Sequence, residues 1–102
     1  MSEPLCNQNS KFSVIKTTAT ISNKLGLHAR ASAKLTKLAG SFPCEVWMSK
    51  GSRRINAKSI MGVMMLAAGL GTEVELECEG EREEEALKAL VALINDKFGE
   101  GE

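Results

Sequence analysis

The chain has no tyrosine, one tryptophan and three phenylalanines among its 102 residues, too few rings for a sheet surface that stacks nucleic-acid bases. Neither sign of charge is in excess. Thirteen basic and thirteen acidic side chains leave a formal net charge of zero, which argues against a nucleic-acid binder, since phosphate contacts call for a basic surplus. The three cysteines are an odd number at no paired spacing, so neither a disulfide framework nor a metal site is indicated, and reduced thiols are expected. No apolar run is long enough to cross a bilayer, and residues 1–10 lack the apolar centre of a signal peptide. The expectation is a cytoplasmic protein without membrane insertion. Repeats and low-complexity tracts are absent too, and a chain of this length is expected to form one domain around one core.

Histidine is equally scarce, and the single one is His28. It lies in the stretch Leu25-Gly26-Leu27-His28-Ala29-Arg30-Ala31-Ser32, between a strand-like run and a helix-like run. A neutral imidazole nitrogen is a nucleophile near pH 7, and a helix start offers unpaired N–H groups and the positive end of the dipole. Arg30 adds a fork of donors suited to phosphate oxygens. These features point to a histidine that carries or contacts a phosphoryl group, although the same position also suits a plain capping residue.

Residues 1–11 are polar, have little to bury, and read as mobile. The run 14–21 is rich in β-branched residues and reads as a strand, with Ile15, Thr17, Ala19 and Ile21 facing the core. Turn residues at 22–26 place His28 at the N-cap region of a helix over 29–39, whose apolar positions 31, 35, 38 and 39 have helical spacing. Cys44, Val46 and Met48 alternate with Glu45, Trp47 and Ser49 as a second strand, so Trp47 is expected on the solvent face, resting on neighbouring strands. Lys50-Gly51-Ser52 turns into a returning strand over 53–57 with Ile55 inward. Ser59 has N-cap chemistry for a short helix over 60–66 that is too apolar all round to be wholly hidden.

Residues 72–79 alternate Val74, Leu76 and Cys78 with Glu73, Glu75, Glu77 and Glu79. One face is core and the other is a solvated acidic row, partly neutralised by Arg53 or Lys16 rather than by a metal. The span 81–98 reads as the clearest helix, with Glu83, Glu84 and Glu85 in its first turn, and Gly99 stops it. Strands that bury one face need helices on that face alone, so this β-α-β-β-α-β-α order implies an α+β fold: a four-stranded antiparallel sheet with three helices on one side.

Gly26-Leu27-His28-Ala29-Arg30, followed by Lys58-Ser59-Ile60-Met61-Gly62-Val63-Met64, resembles the HPr family, the histidine-containing phosphocarriers of the bacterial phosphotransferase system. The similarity covers residues 16–98 and implies the family's open-faced β-sandwich, with 1–12 as an N-terminal segment, 13–98 as the HPr domain and 99–102 as a tail. One position departs from the pattern, since the family usually has proline after the arginine and this chain has Ala31. The resemblance implies that His28 takes a phosphoryl group from phosphorylated enzyme I as a pros-phosphohistidine and passes it to enzyme IIA, without a cofactor. The backbone of Ala29 and Arg30, with the Arg30 side chain, would contact the phosphate.

Such a protein is a stoichiometric carrier, expected to be monomeric, rather than a stand-alone catalyst. Partner docking is expected from a positive rim of Arg30, Lys34, Lys37 and Lys58 around an apolar centre of Leu27, Ile60, Met61 and Met64. The second motif looks like the version found in bacteria with HPr kinase/phosphorylase, which implies a regulatory phosphorylation at Ser59. A regulatory HPr relative, acting in a nitrogen-related phosphorelay or as a phosphoserine co-regulator, is the alternative reading. A ferredoxin-like RNA- or ligand-binding module lacks the required aromatics and positive surface.

Overall fold

The computed structural model describes residues 14–100. The N-terminal segment 1–12 and the end of the tail, residues 101–102, therefore lie outside the described residues. The elements run β1 (Val14–Thr20), α1 (Ala29–Gly40), β2 (Glu45–Lys50), β3 (Arg53–Asn56), α2 (Ile60–Leu66), β4 (Glu73–Glu79) and α3 (Glu83–Asn95), then a single 3-10 turn, Lys97–Gly99. This is the expected order. The strands pair antiparallel throughout in the order β1-β4-β2-β3, so β4 occupies the interior and its alternation is the sharpest of the four. Val74, Leu76 and Cys78 are buried beneath the helices, and the intervening glutamates lie on the open face.

The core is built chiefly from all three helices, β2 and β4, with Ile21 just beyond β1, while β3 adds only the partly buried Ile55. Ile21, Leu35, Met48, Val63, Leu66, Leu76, Leu90 and Ile94 are all buried, each contributing about 1.5–3 kcal/mol relative to exposure. Cys44 and Cys78 are free thiols packed among them. Burial, with Cys44 alongside, pushes the Cys78 thiol up to about 12, so it stays neutral and unreactive at physiological pH.

On the open face, Trp47 is half-buried because Arg54 lies over its ring at 4.2 Å. The same guanidinium reaches Glu77 at 3.2 Å. The acidic row is thus partnered by Arg54 instead of the expected Arg53, whose Nη1 donates to the Met65 carbonyl at the end of α2 (2.7 Å). Alternation explains the difference: adjacent residues of a strand point to opposite faces, and Arg54, unlike Arg53, shares the face of Glu77, as does Lys16, which pairs directly across from Glu77 in β1.

The last helix is shorter than its pattern suggests, ending at Asn95 rather than at residue 98. Lys97 and Phe98 both take left-handed backbone conformations, with φ of 57° and 56°. These fold the chain back so that Phe98 enters the core from the turn rather than from the helix. Its spacing from Ile94 imitates a helical repeat, which is why the sequence pattern runs on. Lys34 of α1 fastens this turn, donating from Nζ to the Phe98 carbonyl (2.6 Å). Gly99 and Glu100 are consequently not a trailing end but are carried back across the start of α1.

Candidate functional site

His28 is held by a turn that the strand-to-helix connection can make in few other ways. Ile21 donates to the Thr72 carbonyl and accepts from Gly71, both at 2.8 Å, which locks the end of β1 beside the loop after α2. Asn23, fully buried, donates from Nδ2 to the Gly26 carbonyl (2.8 Å), and Leu27 donates to the Ala68 carbonyl (2.9 Å). Gly26 has φ of +67°, and a Cβ there would lie 2.6 Å from the Ala68 oxygen and 2.7 Å from the Gly69 Cα. Both obstacles are backbone atoms that cannot rotate aside.

Gly26→Ala is therefore expected to destabilise the protein by more than about 2 kcal/mol, combining the left-handed penalty with a collision. Gly51→Ala, at φ +61° with nothing within 4 Å, should cost only about 1 kcal/mol. Urea unfolding of the two variants separates the collision from the conformational cost.

From this turn His28 emerges as the N-cap of α1, with extended backbone (φ −74°, ψ 180°) and Nδ1 accepting from the Arg30 N–H at 3.2 Å. Its carbonyl accepts from Ser32 (2.8 Å), whose hydroxyl donates to the Leu27 carbonyl (3.0 Å). The ring lines an open cleft of about 500 Å³ with Lys24, Leu25, Arg30 and Glu100. Glu100, 72 residues further along the chain, places Oε2 at 2.6 Å from His28 Nε2 and accepts from Asn23 Nδ2 through Oε1 at 3.1 Å. Asn23, then His28 and Lys34, hold the Glu100 carboxyl below the ordinary carboxylate range against the opposing effect of burial. A depressed carboxyl keeps its charge through neutral pH, so this contact is lost only as acid carries the pH through that lowered value.

These neighbours fix the ring's hydrogen bonding. Nδ1 faces a donor and must offer its lone pair, so the neutral ring carries its proton on Nε2, toward the carboxylate. The available lone pair thus points at the positive end of α1, where the first-turn N–H groups and Arg30 favour an anion. Ala31 is fully buried in that turn and, unlike a proline, retains an N–H.

The other expected site residues are distributed unevenly. Ser59 is the exposed N-cap of α2, its Oγ accepting from the Gly62 N–H at 3.1 Å. Ile60, Met61 and Met64 are exposed by 42%, 67% and 41%, and Met65, Leu25 and Leu70 extend the exposed apolar set at 64%, 69% and 61%. Leu27 is only 6% exposed, so it is removed from the docking centre: its side chain supports the turn from within. Lys37 is exposed, whereas the Lys58 and Lys34 ammonium groups are tied to the Phe42 and Phe98 carbonyls.

Asn23 and Glu100 were not foreseeable as site residues. Asn23 is an ordinary turn residue by type, and no local spacing relates Glu100 to His28.

Residues 15–96 match the family model described as the PTS HPr component phosphorylation site. The phosphocarrier protein HPr of Cupriavidus necator is 62% identical, over 87% of this chain and 100% of that protein. The phosphocarrier protein NPr of Shewanella violacea is 41% identical over 84% of this chain and 94% of its own length. Among solved structures, HPr-C-His from Thermoanaerobacter tengcongensis superposes with a TM-score of 0.82 at 49% identity, covering 84% of this chain and 97% of that one.

Proposed function

The chain belongs to the HPr family of the phosphotransferase system, and from that membership we propose that His28 is its phosphoryl acceptor. The observation that carries the reading is the His28 Nδ1 lone pair held against the N-terminus of α1. The ring attacks as the neutral base and, once phosphorylated, holds a labile P–N bond suited to a temporary carrier. The donor is phosphorylated enzyme I, charged by phosphoenolpyruvate, and the acceptor is an enzyme IIA protein or domain. Ala29 and Arg30 supply backbone N–H groups to the phosphoryl oxygens, and the Arg30 side chain, exposed at the cleft rim, balances charge. These contacts stay modest, because phosphate held too tightly in the ground state would stall onward transfer.

The carrier is cytoplasmic and works as a monomer meeting its partners transiently. No helix among the described residues is long and apolar enough to cross a membrane. Incubation with phosphoenolpyruvate and purified enzyme I tests the reading. Acid-labile, base-stable phosphate on the protein is expected, and its absence would remove the carrier role.

The regulatory alternative draws on the similarity to an NPr protein and on Ser59, the exposed cap of α2. Transfer from the phosphorylated protein to a sugar-specific enzyme IIA, compared with a nitrogen-related one, separates the two.

Docking rests on the exposed α2 methionines, whose unbranched side chains adapt to several partners. Met61, at 67% exposure, has little packing to lose. Met61→Asp is expected to raise the KM of enzyme I for this protein roughly tenfold while changing unfolding free energy by no more than about 0.5 kcal/mol. A matching loss of stability would return Met61 to the core.

A further inference from the structure

We propose that Glu100 is the positioning residue that reserves Nε2 of His28 and so makes Nδ1 the nitrogen that takes the phosphoryl group, an inference that rests on His28 being the acceptor. An imidazole has two nitrogens, and the one without a proton is the nucleophile. Here they face opposite kinds of partner: a backbone donor at 3.2 Å from Nδ1 and an acceptor-only carboxylate at 2.6 Å from Nε2.

The carboxylate is not a loose surface group. Its side chain is 14% exposed against 27% for the ring, and it is fixed from two directions. Asn23 Nδ2 donates both to Glu100 Oε1 (3.1 Å) and to the Gly26 carbonyl (2.8 Å), so one buried amide joins the acid to the turn that carries His28. Behind it, the Lys97–Gly99 turn is pinned by buried Phe98 and by the bond from Lys34 Nζ to the Phe98 carbonyl (2.6 Å). The charged groups facing the ring are Lys24 and Arg30 from the cleft and Glu100 itself, with Lys34 beyond the carboxylate.

The consequence for transfer follows from the bonds. The Nδ1 lone pair forms a bond to phosphorus as the bond from phosphorus to the donor breaks, and that electron pair departs with the donor. Nδ1 has no proton to shed, and the proton on Nε2 stays where it is throughout. The phosphorylated ring carries a positive charge that the Glu100 carboxylate faces directly, while the Arg30 N–H, released from Nδ1, becomes free to meet a phosphoryl oxygen. Onward transfer runs through the same groups in reverse. Without Glu100 only the longer contact from the Arg30 N–H, at 3.2 Å, favours a lone pair on Nδ1, so Nε2 opens to the cleft and gains a share of the phosphoryl group.

The test uses phosphoramidate, a small donor that phosphorylates imidazoles without a protein partner, on the full chain and on Glu100→Ala and Glu100→Gln. Nitrogen–phosphorus coupling in NMR spectra of the sole histidine reads which nitrogen carries the group. The wild type is expected to label at Nδ1. Glu100→Gln, whose amide oxygen still accepts from Nε2, should keep that preference, while Glu100→Ala should lower the Nδ1:Nε2 ratio by about tenfold or more.

With enzyme I and phosphoenolpyruvate, Glu100→Ala should lower the maximal transfer rate on the order of tenfold with KM unchanged. A change in KM alone would make Glu100 a docking contact and overturn the proposal, as would a Glu100→Ala variant that labels only at Nδ1. Glu100-dependent labelling by phosphoramidate in a chain that takes nothing from enzyme I would leave the positioning role standing and defeat the carrier reading instead.

Discussion

His28→Ala is expected to take up no acid-labile phosphate from enzyme I and phosphoenolpyruvate, while remaining folded with a loss of about 1 kcal/mol, the worth of a helix cap. The chain has one imidazole, so no second histidine can take over. The fold does not depend on the ring, which is partly exposed and makes its two polar contacts at the surface, one to the Arg30 N–H and one to Glu100. Glu100 keeps its bond from Asn23, and the turn beneath keeps its backbone bonds from Gly26 and Leu27. Denaturant unfolding and phosphate uptake measured on the same preparation check both halves. Full uptake by the variant would place the acceptor elsewhere and leave His28 as an ordinary cap.

The parts of this molecule that could be read from its residues are those written in short-range patterns. The alternation over 73–79 placed Val74, Leu76 and Cys78 inward, because a strand inside the sheet with one covered face enforces a strict two-residue period. Turn residues before a helical run put His28 at an N-cap, and Ser59 likewise. What misled was a local pattern overridden by distant packing. Phe98 continues the spacing of α3 but reaches the core through two left-handed residues that only the docking surface of α1 explains. Leu27 sits beside the histidine in sequence yet points inward, since its backbone is clamped to Ala68. Glu100 lies beyond any periodicity: its meeting with His28 exists only because the Lys97–Gly99 turn redirects the chain.

The second large effect is expected at Ser59, through a charge placed where the helix tolerates it and a partner does not. Its hydroxyl caps α2 by accepting from the Gly62 N–H at 3.1 Å, and it is exposed. Ser59→Asp retains an acceptor at that N-terminus, where the dipole favours negative charge by about 0.3–1 kcal/mol, so the variant should unfold at the wild-type denaturant concentration or slightly above it. Ser59→Ala loses the cap and about 1 kcal/mol, yet should transfer phosphate normally. Phosphorylation of the hydroxyl would act in the same sense as Asp and more strongly, adding roughly −1.5 to −2 charges.

The functional penalty arises next door. Ile60, Met61 and Met64 are exposed immediately after the cap, and a partner that covers them with an apolar or acidic surface would bring that surface against the new anion, which opposes the encounter. Phosphoryl uptake at His28 should therefore slow about tenfold in Ser59→Asp, chiefly through KM, and the gap from wild type should narrow as salt screens the charge. The comparison across enzyme I concentrations decides the matter. Equal uptake by Ser59→Asp and wild type at every concentration would leave Ser59 as a cap and remove it from regulation, whereas slow uptake by Ser59→Ala as well would trace the effect to the lost cap instead of the added charge.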